Sequence, residues 1–134
     1  MEKTISVLLV EPMKKPRVIT IPHTLEEMQK LVDGYIQAVY PWDDSVALVC
    51  DEEALYKGKD LNRALIDEKG IPYDIVKGAF FICGLGEDDF CSISDILAEK
   101  YKELFYWPEI FTRTMDDHIV WTKLKPDEEA KVIV

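Results

Sequence analysis

The stretch that decides the fold is AFFIC, from Ala79 to Cys83, inside the longer segment NRALIDEKGIPYDIVKGAFFICGLGEDDF that runs from Asn62 to Phe90. It is a continuous apolar run of strand length, with Gly78 before it and Gly84 after it. Such a run is typical of a strand that is buried on both faces. We therefore predict that Ala79–Cys83 lies at the centre of a sheet and is covered by two amphipathic helices.

Short β-branched or alternating runs on both sides of this segment predict the other strands. Ile5–Glu11 and Arg17–Ile21 surround a proline-bounded turn, which indicates a hairpin. The segment from Asp60 to Leu65 has no clear period and is interpreted as a loop. The remaining predicted strands are Tyr35–Tyr40, Ser45–Cys50, Tyr73–Val76 and Asp117–Leu124.

Two segments carry the signals of amphipathic helices. Thr24 and Glu27 form a capping box, an apolar stripe follows, and Asp33-Gly34 supplies the stop. A second helix runs from Ser92 or Ser94 to about Tyr106, before Pro108. Strands interrupted by two helices without regular alternation predict an α+β fold, a mostly antiparallel sheet with both helices packed on one face.

Length and composition indicate one soluble domain. The chain has 134 residues, a mass of 15.5 kDa and 48% hydrophobic residues, enough for a sizeable core. We expect residues 1–106 to form the core domain and residues 107–134 to be an extension that packs on the core or forms an edge strand. The start of the chain has no secretory signal and no window suits a membrane span, so we expect a cytoplasmic location.

Cysteine and histidine usage suggests neither a disulfide nor a metal. The three cysteines, Cys50, Cys83 and Cys91, are odd in number, and two of them end apolar runs. His23 and His118 are not spaced with other ligands as in a zinc site. We expect reduced structural thiols, no metal and no cofactor.

The net charge is the outlying property of the composition. Sixteen Lys and Arg stand against 26 Asp and Glu, which makes −10, and the pI is near 4.6. A field of this sign repels nucleic-acid phosphates and anionic lipid, so we expect no direct nucleic-acid partner and no membrane partner.

Asn62 and Arg63 are the leading candidates for a binding site. Asn62 is the single asparagine of the chain, and Arg63 is one of three arginines, so an amide and a guanidinium fork lie side by side. Together with Tyr73 and Asp74 they would form a contact surface for a partner. The alternative is structural, with Asn62 capping backbone groups and Arg63 paired with an acid such as Asp67 or Asp74.

Gly84 and Gly86 suggest a second kind of site. Glycines between a strand and a helix can cradle phosphate on backbone amides, but the acids of Glu87–Asp89 follow directly and would repel it. Close helix-to-strand approach or a positive φ is the alternative reason for the glycines. No catalytic constellation is visible, so we assign no catalytic residue and favour a function other than catalysis.

The aromatic residues near the C-terminus suggest a third kind of surface. If Tyr106, Trp107 and Phe111 lie outside the core, they would form a contact for a partner or for a dimer.

Several motifs together carry a family resemblance, which extends over Ser6–Phe105. The most specific are Gly34-Tyr35-Ile36, Asn62-Arg63-Ala64, the stretch Gly70–Asp74, and Gly78-x-Phe80-Phe81-Ile82-x-Gly84. They resemble an uncharacterised family of small proteins carried on bacterial plasmids, phages and integrated mobile elements. The resemblance implies an accessory role in a mobile element, without a defined activity, and residues after Pro108 look like a variable extension.

The leading functional hypothesis is a non-enzymatic accessory protein that binds a protein partner. One alternative is an acidic mimic of DNA that occupies a host defence or regulatory protein. Another is a binder of a small nucleotide-like ligand beside Gly78–Gly86.

Overall fold

The computed structural model describes residues 3–125 and 131–133. Within them the chain forms a main sheet with two helices, a separate hairpin and a small C-terminal sheet. In chain order the elements are β1 Thr4–Val10, β2 Arg17–Pro22, α1 Leu25–Val32, β3 Ile36–Val39, β4 Val46–Asp51, β5 Leu61–Ile66, β6 Pro72–Lys77, β7 Phe80–Leu85, β8 Phe90–Cys91, α2 Asp95–Leu104, β9 Glu109–Arg113, β10 Ile119–Lys123 and β11 Lys131–Ile133.

The central position predicted for Ala79–Cys83 is confirmed. The main sheet has the order β2-β1-β7-β4-β3, with β8 added to β7, and each described strand pair is antiparallel. Strand β7 therefore has a neighbour on each side, and Phe80, Phe81, Ile82 and Cys83 are fully buried. The α+β class with a mostly antiparallel sheet is confirmed as well.

The two helices cover opposite faces of this sheet. Phe80 and Ile82 belong to the cluster that contains Tyr101 of α2. Phe81 and Cys83 belong to the cluster that contains Met28 of α1. Successive side chains of a strand point to opposite faces, so the prediction of both helices on one face is wrong. The physical reason is in β7 itself, because a strand that is apolar at every position has two faces to cover.

Both helices begin at the predicted caps. The Thr24 hydroxyl accepts a hydrogen bond from the amide of Glu27 at 3.2 Å, and the Ser94 hydroxyl accepts one from the amide of Leu97 at 3.3 Å. Helix α1 ends at Asp33, which has a left-handed backbone with φ of 53°.

Strands β5 and β6 form a hairpin that the sequence did not indicate in full. The interpretation of Asp60–Leu65 as a loop is wrong, since β5 pairs with β6 through most of its length. The alternation is hidden because β5 buries two polar side chains, Asn62 and Arg63, beside apolar ones.

Residues after Tyr106 contribute the sheet β9-β10-β11. Strand β10 is the strand predicted within Asp117–Leu124, whereas β9 was not predicted. The C-terminal part of the predicted extension lies partly outside the described residues, which omit 126–130 and 134. Trp121 of β10 and Ala64 of β5 form a small buried cluster, so the described part of this region packs on the hairpin. The division into a core and an extension at residue 106 stays a prediction.

Among the residues described, no helix has the length and apolar character needed to cross a membrane.

Candidate functional site

Asn62 and Arg63 lie inside the molecule. Both are 0% exposed in the interior of β5. A partner cannot reach either side chain in this conformation, so the structural alternative has the support of the geometry.

Together the two side chains form a clamp between distant segments. The Asn62 amide nitrogen donates to the carbonyls of Val10 and Gly78, at 3.0 and 2.8 Å. Its side-chain oxygen accepts from the Arg63 guanidinium at 2.8 Å. That guanidinium also donates to Phe105 O at 3.1 and 3.2 Å, and to Lys14 O at 2.7 Å. The guanidinium also donates to the Asn62 carbonyl, so every N–H of the Arg63 side chain has an acceptor.

The charge of Arg63 is balanced by a buried acid. Burial lowers the pKa of Arg63, and the carboxylate of Glu109, 3.7 Å from its Nε, opposes that shift. Burial raises the pKa of Glu109, although its carboxylate accepts hydrogen bonds from the Ala64 amide and the Trp121 indole. The acids Asp67 and Asp74, which were the predicted partners of Arg63, do not contact it.

Tyr73 and Asp74 are exposed, unlike Asn62 and Arg63. They lie on β6, and the Tyr73 side chain is 57% exposed. The Asp74 carboxylate accepts a hydrogen bond from the amide of Ile75 at 2.8 Å. Of the predicted contact surface, the β6 part is available to a partner.

Gly84 and Gly86 serve the packing of β7 against β8. A Cβ at Gly84 would lie 2.7 Å from the carbonyl oxygen of Ser92, so only glycine fits. The amide of Gly86 donates to Asp89 O at 2.8 Å and closes the turn before β8. That amide is therefore not free to hold a phosphate. Gly84 allows a close approach, but to the β8 segment at Cys91 and Ser92 and not to a helix as predicted.

The three C-terminal aromatic residues are half-buried. The rings of Tyr106 and Trp107 meet edge to face at 5.0 Å, and the Lys15 ammonium lies 4.6 and 5.5 Å from their centroids. Phe111 packs against the cluster of Ala64 and Trp121. Their use as a dimer contact stays a prediction.

A groove of about 710 Å³ lies beside Tyr73. It lies between the β3–β4 turn, the tip of the β5–β6 hairpin and the second half of α2. We call it the acidic groove. Its walls are formed by Pro41, Trp42, Asp43, Asp44, Ile66, Asp67, Glu68, Tyr73, Lys100, Tyr101, Glu103 and Leu104.

One wall of the acidic groove is fixed by a hydrogen-bonded triad. The Asp44 carboxylate accepts from the Lys100 ammonium and from the Tyr101 hydroxyl, each at 2.6 Å. The bond from Lys100 and then the bond from Tyr101 lower the pKa of Asp44. Trp42 packs on the buried Tyr101 ring with centroids 4.4 Å apart and on Phe105 at 5.9 Å. Ring packing and the two hydrogen bonds to Asp44 thus hold this aromatic wall in place.

The family comparison matches residues 5–106 to the family described as "Domain of unknown function (DUF3846)". The chain belongs to this family. The DUF3846 match includes every residue of the acidic groove and both clamp residues, whereas Glu109 and Trp121 lie beyond it. No curated protein and no solved structure matches the chain.

The acidic groove of this DUF3846 protein is lined by carboxylates, one ammonium and aromatic rings. The described residues contain no group of three or more His, Cys, Asp or Glu side chains that could hold a metal ion. Trp42, Asp44, Lys100 and Tyr101 were not predicted as site residues. A signal for Trp42 and Asp44 was the acid pair beside a tryptophan in Pro41–Asp44, which also fits a solvated turn.

Proposed function

We propose that this chain is a non-enzymatic accessory protein of a mobile genetic element that acts in the cytoplasm by binding a protein partner in the acidic groove. The partner segment is basic and carries apolar side chains beside its Lys or Arg residues. The mobile-element setting rests on the family resemblance of the sequence, and the binding role rests on the groove.

The observation that supports this proposal is the charge of the groove. Five carboxylates line it against one ammonium, and that ammonium, of Lys100, is already paired with Asp44. A concave surface of one sign attracts a segment of the opposite sign and speeds its association. The acids concerned are Asp43, Asp44, Asp67, Glu68 and Glu103.

Aromatic side chains in the groove add the contacts that charge alone does not supply. Tyr73 is exposed on one wall, and half-buried Trp42 lies on the other. Tyrosine and tryptophan are enriched in protein interfaces because they bury a large area while losing little side-chain freedom. The Tyr73 and Trp42 rings would pack against the apolar side chains of a bound segment.

The concave shape favours a peptide segment over mimicry of DNA. In a mimic the carboxylates stand in for phosphates on the outside of a duplex, whereas these acids surround a depression. The nucleotide-like ligand has less support, because the Gly86 amide is used within the β7–β8 turn.

The test is affinity capture from host lysate with the wild-type chain and two charge-matched variants. The groove variant is Asp43→Asn with Glu68→Gln, and both residues are exposed. The control variant is Glu87→Gln with Asp88→Asn, two exposed acids in the β7–β8 turn. Both variants lose two charges, so they differ only in where the charges are lost.

The groove variant should retain its partner about tenfold more weakly, because two charge pairs contribute about 1.4 kcal/mol together. The control variant should capture as the wild type does at about 50 mM salt, and capture should decline at about 500 mM. Equal losses in the two variants would refute a localised groove and indicate that the overall charge attracts the partner.

A further inference from the structure

The main sheet has an open edge at β3. Within the described residues, the strand order ends at β3, so the side of β3 away from β4 has no strand partner. An open edge presents unpaired N–H and C=O groups, to which another chain can add a strand.

The register of β3 on β4 shows which backbone groups face this edge. Tyr35 O accepts from the amide of Glu52, and the Cys50 thiol lies 3.8 Å from Gln37 O. Gln37 and Cys50 are opposite each other in the register. Because the backbone groups of a strand alternate in direction, those of Gln37 and Val39 point toward β4, as those of Tyr35 do. The groups of Ile36, Ala38 and Tyr40 alternate with these and point outward.

The other edge of the sheet is protected, and β3 is not. Strand β2 starts with Arg17, directly after Pro16, and ends with Pro22. Charged residues and proline are the usual means of blocking strand addition. From Tyr35 to Tyr40 no residue is charged and none is proline, although the chain has a net charge of −10. Tyr35 and Tyr40 are also largely exposed, at 64% and 61%.

The open edge leads directly into the acidic groove. Strand β3 ends at Val39, and the groove wall starts at Pro41, one residue after Tyr40. A strand laid along β3 would therefore continue past Trp42 and Asp43.

We propose that β3 receives an extended segment of the protein partner as an antiparallel strand, and that Lys or Arg residues just before the paired stretch lie in the acidic groove. This inference rests on the proposed function and specifies how the partner binds. The antiparallel direction follows the other pairs of the sheet, and it places the N-terminal part of the segment at the groove end of β3.

A second copy of the chain suits this edge less well than a basic segment. Two copies would bring two bodies of net charge −10 together, and like charges oppose association. The four residues of β3 offer about 13 Å of pairing. That is too little contact for a stable dimer by itself. The negative charge of the groove attracts a basic segment, whereas it repels a second copy of this acidic chain.

The probe is a display library of random peptides of about 12 residues, long enough for a paired stretch and a basic stretch. Peptides selected on the wild-type chain should carry Lys or Arg before an alternating apolar stretch. One selected peptide is then synthesised in two forms. The first form is methylated on the backbone nitrogens that face β3, and the second is methylated on the backbone nitrogens that point away from β3. The first form loses its donors to the edge and should bind about tenfold more weakly, while the second should bind as the parent does.

A protein variant tests the same contact from the other side. Ala38→Pro removes an outward amide without removing a hydrogen bond to β4, and proline is tolerated on edge strands in that orientation. It should weaken the peptide about tenfold, whereas Ala38→Ser keeps the amide and should not. Circular dichroism shows whether Ala38→Pro folds, and if it does not, the methylated peptides decide.

The outcomes separate the two proposals. In one outcome the Asp43→Asn, Glu68→Gln variant loses peptide binding, while methylation and Ala38→Pro leave binding unchanged. This outcome would overturn strand addition but would still support binding in the groove. Both proposals would be overturned if the selected peptides bound equally well after both sets of changes, or if the library yielded no binding peptide. A wild-type dimer in light scattering that Ala38→Pro converts to a monomer would show that a second copy occupies the edge, which also overturns the inference.

Discussion

At the scale of single residues, the groups with the greatest hydrogen-bonding capacity hold the fold together. Asn62 and Arg63 join the end of β1, the β1–β2 turn and the residue after α2 through backbone carbonyls. Buried carbonyls need donors, and a guanidinium supplies several in one rigid plane. This explains why a segment with two polar residues side by side is a buried strand.

Replacing Asn62 by Ala should therefore destabilise the fold strongly. The carbonyls of Val10 and Gly78 would lose their donor in a buried site. We expect the free energy of unfolding to fall by about 2–4 kcal/mol, measured by urea denaturation. Lys69→Ala, in the exposed tip of the hairpin, is the control and should change little. An unchanged midpoint for Asn62→Ala would contradict the clamp.

At the scale of elements, an ion cluster around the buried Asp51 connects the end of α1 to the end of β4. The Asp51 carboxylate lies 2.9 Å from the Lys57 ammonium and 2.7 Å from the Lys59 ammonium. Lys59 also donates to the carbonyls of Val32 and Asp33, where α1 ends. A Cβ at Gly34 would clash with the Asp51 carboxylate, so the glycine after α1 makes room for the cluster.

The pKa of Asp51 makes this junction sensitive to acid. Burial alone would raise the pKa, but the hydrogen bonds from Lys59, from the Glu53 amide and from Lys57 outweigh burial. They lower the pKa from 3.8 to about 2. Because the pKa is lower in the folded state, the carboxylate contributes stability above pH 3.8, and this contribution is lost as the pH falls toward about 2.

Asp51→Asn should remove this contribution. Its unfolding free energy should lie below that of the wild type at neutral pH, and the difference should shrink between pH 3.8 and about 2. Urea titrations of both proteins across that range measure the difference. Asp116→Asn, in an exposed turn, is the control and should change the unfolding free energy little. A constant difference for Asp51→Asn would show that the ion cluster does not set the acid response.

At the scale of the whole molecule, one carboxylate couples the C-terminal sheet to the hairpin. Glu109 starts β9 and accepts hydrogen bonds from the Ala64 amide of β5 and the Trp121 indole of β10. It also lies close to the buried charge of Arg63. The hairpin and the C-terminal sheet therefore share one polar junction.

Glu109→Ala should loosen that junction and leave Arg63 without its counter-charge. We expect a loss of about 3–5 kcal/mol, as for other buried ion pairs that lose one partner. Hydrogen exchange should quicken first in β9 and β10, while β7 stays protected. Arg113→Ala, which breaks an exposed ion pair of β9 with Asp117, is the matched control. Equal exchange in the two variants would contradict the coupling.

The sequence by itself determined the central strand and the two helix starts. The apolar run around Phe81 is typical of a strand buried on both faces, and the caps at Thr24 and Ser94 act within one helical turn. These signals are local, so a short stretch of sequence is enough to predict the elements that carry them.

Only the tertiary structure decided which face each helix covers, why Asn62 and Arg63 are buried, and that the turn after Tyr40 meets the hairpin and α2 in an acidic groove. Each of these depends on contacts between residues far apart in the chain. Hydrogen bonds of 42 and 52 residues' separation hold the clamp, and one of 57 residues' separation holds the groove wall. A pattern of neighbouring residues carries no record of such partners, because the partner is chosen by packing and charge in three dimensions.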